Sequence, residues 1–145
     1  MKTKIILSVL LALAALFAVA CGEAPARRSS GSQQTGSQTA RVPAFMDASQ
    51  AKSLGPTLSP ERFTGQTRDA YRAVQEIPET IAQLPCYCEC DRSIGHKSLH
   101  SCFEDGHATQ CAVCVNEALI AYKLHKSGLT PVQIRERIIE QYSRQ

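Results

Sequence analysis

Between Cys86 and Cys114 the chain carries six cysteines and three histidines within 29 residues, and no other feature limits its fold so strongly. Thiols this crowded end in disulfides, around metal ions or in redox pairs, and each outcome ties distant backbone together. Such a tie is needed. Only about 84 residues remain once a leader and a polar spacer are set aside, a size at which a hydrophobic core alone supplies roughly 3–5 kcal/mol.

In the hexapeptide Pro85-Cys-Tyr-Cys-Glu-Cys90, the thiols of Cys86, Cys88 and Cys90 stand at i, i+2 and i+4. On an extended chain that spacing puts all three on one side, about 7 Å apart per step, so convergence on one point requires a turn. His107, Cys111 and Cys114 stand at i, i+4 and i+7, which predicts one imidazole and two thiols within about a 60° arc of a single helix. His96 and Cys102 lie between the two groups. Together Cys86, Cys88, Cys90, His96, Cys102, His107, Cys111 and Cys114 form a candidate site for a soft metal ion, zinc or copper. They exceed the needs of one tetrahedral ion, so either two ions bind or some residues have other roles. His100, without cysteine neighbours at ligand spacing, is expected to be a packing or surface residue.

Two other readings use the same thiols. Six is an even number, and three disulfides suit a small extracytoplasmic domain. Adjacent Cys-x-Cys residues pair poorly, however, so the three loop thiols would all have to bridge to Cys102, Cys111 and Cys114. Thiol redox chemistry through Cys111-Ala-Val-Cys114 is the other reading, although no strand feeds into that motif as it does in thioredoxin-like proteins. Covalent haem attachment is excluded because Val115, not histidine, follows the second cysteine. Methionine-based copper trafficking has no material, since Met1 and Met46 are the only methionines. Glu89 and Asp91 flank the thiols and oppose thiolate formation, which favours a metal over a nucleophile.

The N-terminus reads as an address. Two lysines precede an apolar run, Ile5 to Ala20, that ends Ala18-Val19-Ala20-Cys21-Gly22. Residues 1–20 are thus expected to be a signal peptide. The junction resembles a bacterial lipobox, and the resemblance implies cleavage before Cys21 with acylation of its thiol and amine. Two or more chains anchor stably in a membrane lipid layer, where one is marginal. Gly22 after that cysteine resembles the pattern of lipoproteins sorted to an outer membrane. Residues 21–61, rich in Ser, Gln, Gly, Thr and Pro, are expected to be a flexible tether with a reach of roughly 35 Å. From Arg62 onward ten basic residues balance ten acidic ones, which argues against a nucleic-acid partner.

Residues 62–145 read as a helical, Cys/His-rich domain. Ala70, Tyr71, Ala73, Val74 and Ile77 predict a helix over Gln66 to Ile77, and Pro78 starts a second short one. A long helix is expected over His107 to Ser127, stopped by Gly128. Thr130, Pro131 and Gln133 predict a capping box, with Ile134, Ile138 and Tyr142 on the buried face beyond it. The fold class expected is mostly α, a small helical domain with a Cys-rich loop stapled by metal or disulfides.

Pro85-Cys-Tyr-Cys-Glu-Cys90, followed by His96-Lys-Ser98, Cys102-Phe103 and His107-x-x-x-Cys111-x-x-Cys114, resembles the bacterial lipoproteins named for a Pro-Cys-Tyr-Cys-Gly-Cys motif, also described as the CYCXC family. The resemblance implies a location on the outer side of a membrane. Some members are described as carrying selenocysteine at the variable position of the hexapeptide, which implies redox or soft-metal chemistry there. In this chain the position is Glu89. The expectation is therefore a lipid-anchored envelope protein, without catalytic residues, that binds, delivers or sequesters a thiophilic metal ion and meets an envelope metal or redox partner. A thiol-disulfide redox protein and a disulfide-stapled envelope module are the alternatives.

Overall fold

The structure, a computed structural model, describes residues 41–144. The leader, Cys21 and the start of the tether lie outside the described residues. Among the described residues six α-helices follow in order: α1 (Gly65–Glu76), α2 (Pro78–Ala82), α3 (Cys90–Ser93), α4 (Ser101–Glu104), α5 (Ala112–Lys126) and α6 (Pro131–Tyr142). Short 3-10 turns occupy Gln50–Lys52, Pro60–Arg62 and His107–Gln110. No strand occurs among the described residues, and the class is mostly α as expected. None of the described helices is long and apolar enough to cross a membrane.

The apolar stripe of α1 buries Ala70, Tyr71, Ala73 and Val74, and α1 packs most extensively against α5. The buried face of α5 includes the small residues Ala118 and Ala121, both fully buried, and small residues on such a face let helices approach closely. Ile77 leaves helical geometry (φ −131°, ψ 48°) because Pro78 follows, and the proline then occupies the first turn of α2, where its missing N–H costs nothing. Tyr71 lies between two rings, stacked on Phe63 at 4.3 Å between centroids and edge-on to Phe103 at 4.8 Å. Helix α6 has the expected capping box, with Gln133 N–H donating to Thr130 Oγ1 and Thr130 N–H to Gln133 Oε1. Its Ile134 and Ile138 are fully buried.

The folded unit begins earlier than the boundary expected near Arg62. Asp91, at the start of α3, accepts hydrogen bonds from the Arg41 guanidinium and from Ala44 N–H. Met46 N–H donates to Ala82 O at 3.0 Å, Leu58 N–H donates to Phe103 O at 3.0 Å, and Ala51 is fully buried. Residues 41–61 are thus a strap across α2, α3 and α4 rather than part of a free tether. The reason is local: the segment's apolar residues follow no helical or strand period, and it is held by its own N–H groups and by the Arg41–Asp91 and Arg72–Glu61 ion pairs, which leave no periodic signal. Asp91, its side chain 7% exposed, is the anchor of that strap.

Candidate metal centre

The hexapeptide curls as its spacing requires. Glu89 N–H donates to Cys86 O at 3.3 Å, closing a turn that brings the Sγ atoms of Cys86 and Cys88 to 3.3 Å. Glu89 itself is left-handed (φ 57°, ψ 27°), the only non-glycine residue with positive φ among those described. That reversal sends Cys90 into α3 and toward Cys102, with the two Sγ atoms 3.3 Å apart. Because a left-handed residue with a Cβ costs about 1–2 kcal/mol relative to the right-handed conformation, Glu89→Gly is expected to stabilise the domain by about 1 kcal/mol in denaturant unfolding. A loss of stability would show that the Glu89 side chain has a compensating role.

Helix α5 supplies the opposite wall, but not by the continuous helix the spacing suggests. Gly106 has φ 86°, His107–Gln110 form a 3-10 turn, and Cys111 (φ −121°, ψ 101°) is the extended residue ahead of α5. The helix starts only at Ala112. On an unbroken α-helix His107 and Cys114 would be separated by about 10 Å along the axis, too far for one ion. The break at Cys111 folds the segment back, and the ligand atoms of Cys88, His107, Cys111 and Cys114 all lie within 4.8 Å of one another. The convergence that spacing predicts occurs, with a different backbone beneath it.

Two more groups satisfy the same limit: Cys90, His96 and Cys102, and Cys86, Cys88, Cys102 and Cys114. The separations of Cys88 from Cys114 and His107 match a metal's coordination sphere, while the other thiol pairs stand at 3.3 Å, somewhat closer than such a sphere sets them. An ion with bonds of about 2.3 Å to sulfur and 2.0–2.1 Å to nitrogen sets tetrahedral S···S edges near 3.8 Å and S···N edges near 3.5 Å. Cys86–Cys114 is 3.3 Å and Cys88–Cys114 is 3.7 Å, while Cys88 Sγ to His107 Nε2 is 3.5 Å and Cys102 Sγ to His96 Nδ1 is 3.3 Å. All six thiols are free, and the donor set fits a thiophilic ion. All eight candidate ligands lie in this one cluster. His100 does not join it: fully inside the fold, its Nδ1 meets Glu104 Oε1 at 2.8 Å, a packing role.

Three carboxyl-bearing or aromatic residues that spacing did not single out organise the cluster. Asp105 Oδ2 meets His96 Nε2 at 2.9 Å, and its Oδ1 accepts from His107 N–H at 3.0 Å. The carboxylate thereby orients the His96 ring, as carboxylates commonly do behind metal-bound imidazoles, and pins the backbone at the start of the His107 turn. Against the opposing effect of burial, the His107 N–H and the His96 ring hold the Asp105 carboxyl below its ordinary range. Glu117, fully buried in α5, accepts from Tyr87 N–H at 3.0 Å. Burial raises its carboxyl to about 8, in opposition to the Tyr87 N–H and the Cys86 thiol. Tyr87 also stacks on Tyr142 at 5.5 Å, so α6 braces the thiol turn. A signal for Glu117 existed: it shares the buried stripe of Cys114, Ala118 and Ala121, where a charged residue is out of place.

The thiols differ in their readiness to ionise. Cys88, partly exposed, is pushed far below the usual thiol range by the protons of Cys102, then Cys114 and Cys86, with His107 adding to the effect. Cys102 moves the opposite way, raised by Cys114, Cys86 and Cys88 and by its own burial. Burial is the first cause of the upward shifts at Cys90 and Cys111. Cys88 is thus the thiol that the cluster most favours as a thiolate, an arrangement that a cation would complete.

The sequence profile of a family described as "Protein of unknown function with PCYCGC motif" matches residues 9–145. No curated protein and no solved structure matches.

Proposed function

The chain belongs to the PCYCGC-motif family, and we propose that it is an envelope lipoprotein whose helical domain binds a thiophilic metal ion, zinc or copper, for storage or delivery. The observation that carries metal binding is the closure of six thiols and two imidazoles, drawn from four backbone segments, into groups within 4.8 Å. The leader and the Ala-Val-Ala-Cys21 junction support the anchored location on the outer side of a bacterial membrane. Bound there, the ion would supply cross-linking between the thiol turn, α4 and the start of α5. The residues' own work is to hold the donors in place: Asp105 orients the His96 ring and fixes the His107 backbone, while Glu117 and Tyr142 fix Tyr87 between Cys86 and Cys88.

Dithiol redox chemistry is the second reading, favoured by the partly exposed, readily ionised Cys88 at 3.3 Å from Cys86. Alkylation separates the two. In the full-length protein purified with its metal, iodoacetamide is expected to leave the six domain thiols unmodified until a chelator is added, and then to modify them. Rapid modification of Cys88 before chelation, with metal content unchanged, would favour the redox reading.

A further inference from the structure

We infer that the cluster is a two-ion centre, with a buried inner position at Cys90, His96 and Cys102 and an exchangeable outer position at Cys88, His107, Cys111 and Cys114. This rests on the metal-binding reading above and divides it. These two groups share no residue and use seven of the eight donors. The eighth, Cys86, belongs to the third group with Cys88 and Cys114 on one side and Cys102 on the other. Its thiol stands between the two positions, placed to bridge them and to give the inner ion a fourth donor.

The positions differ in access. Cys90 and Cys102 are buried, and the His96 side chain is 9% exposed with Nδ1 turned inward to Cys102 and Nε2 occupied by Asp105. Two clefts reach the outer edge of His96, one of them beside Asp105, but neither is lined by Cys90 or Cys102. At the outer position Cys88, His107 and Cys111 are all partly exposed, and a cavity of about 540 Å3 lined by Asp105, Gly106, His107 and Gln110 opens beside it. Ligand exchange requires an incoming donor to reach the ion before the last protein donor leaves. Only the outer position admits one. The inner ion is accordingly structural, tying α3 to α4, and the outer ion is the one that passes to an acceptor presenting thiolate or imidazole donors.

Zinc release from the full-length protein tests both halves. Loaded with Zn(II) and challenged with the chromophoric chelator 4-(2-pyridylazo)resorcinol, the protein is expected to give up two equivalents in two phases, the first at least tenfold faster. His107→Ala should remove the fast equivalent and keep the slow one, and His96→Ala should do the reverse, with helical circular dichroism confirming that each variant folds. Two equivalents leaving in a single phase would overturn the division into exchangeable and structural ions. A total of one equivalent would overturn the two-ion centre while leaving metal binding intact, and no bound zinc at all, with copper equally unbound, would remove the reading on which it rests.

Discussion

Cys114→Ser is expected to weaken metal binding by about 100-fold. Cys114 is fully buried, lies 3.3 Å from Cys86 and 3.7 Å from Cys88, and belongs to two of the three ligand groups. If an apparent binding energy of about 10–16 kcal/mol is shared among four ligands, one ligand carries roughly 3 kcal/mol, or about two orders of magnitude. Serine offers a harder and shorter donor that cannot reach the same point. In the metal-free protein its hydroxyl would also be left buried among thiols, at a cost of about 1–3 kcal/mol. Competition titration against a chelator of known affinity measures the first effect. Affinity within threefold of the parent would show that Cys114 is a packing residue.

Stripping the metal should cost more than any single substitution. The described core includes Tyr71, Phe103, Ile81, Leu84, Leu99, Ile134 and Ile138, yet the thiol turn, α3, α4 and the 3-10 turn before α5 are too short to hold themselves by helix propensity. An ion that binds only the folded state stabilises it in proportion to the logarithm of its concentration over Kd. Loss of about 5 kcal/mol would lower the Tm by roughly 20 °C or more in a domain this size. The effect depends on pH in a definite direction. Cys111 is pushed up by burial, and Cys114 is also raised despite the opposing influence of Cys102 and Cys86, whereas Cys88 is already displaced toward thiolate. Loading the outer position therefore releases thiol protons, from Cys111 and Cys114 above all, and affinity should fall as pH is lowered through neutrality, by up to about 100-fold per unit if both leave on binding. A Tm unchanged by chelator, or an affinity flat between pH 7 and 8, would contradict this.

Periodicity and punctuation made the outer helices legible. Helix α1 starts one residue before the expected Gln66, α5 ends at Lys126 ahead of Gly128, and Thr130 with Gln133 forms the box its spacing predicts. Those signals are local, acting within one or two turns. The cluster was legible as a set of donors because residue types and counts carry that information. Its backbone was not. The break at Cys111 depends on Gly106 and on Asp105, which holds the His96 ring with one oxygen and the His107 backbone N–H with the other. The strap over residues 41–61 is held by an ion pair and backbone hydrogen bonds to residues 35 or more positions away, and no sequence period marks such contacts.

Glu89 is instructive because sequence and structure meet there. In the motif that names the family, the residue at this place is glycine, and the left-handed backbone at Glu89 gives the reason: only glycine adopts it without a Cβ penalty. The position matters first for the shape of the turn, whatever its side chain contributes. The aspartate and glutamate behind the cluster had a weaker signature. Glu117 could be found as a charge on a buried stripe, but Asp105 had only its place beside Gly106.

Native mass spectrometry of the full-length protein purified from an oxidising compartment, with the non-reduced mass of the denatured chain measured alongside, tests metal binding most directly. Stoichiometric thiophilic metal is expected in the native state, with a denatured mass in which all six domain cysteines carry their hydrogens. A denatured mass lower by six hydrogens, with no metal in the native state, would contradict it and assign the cysteines to disulfides.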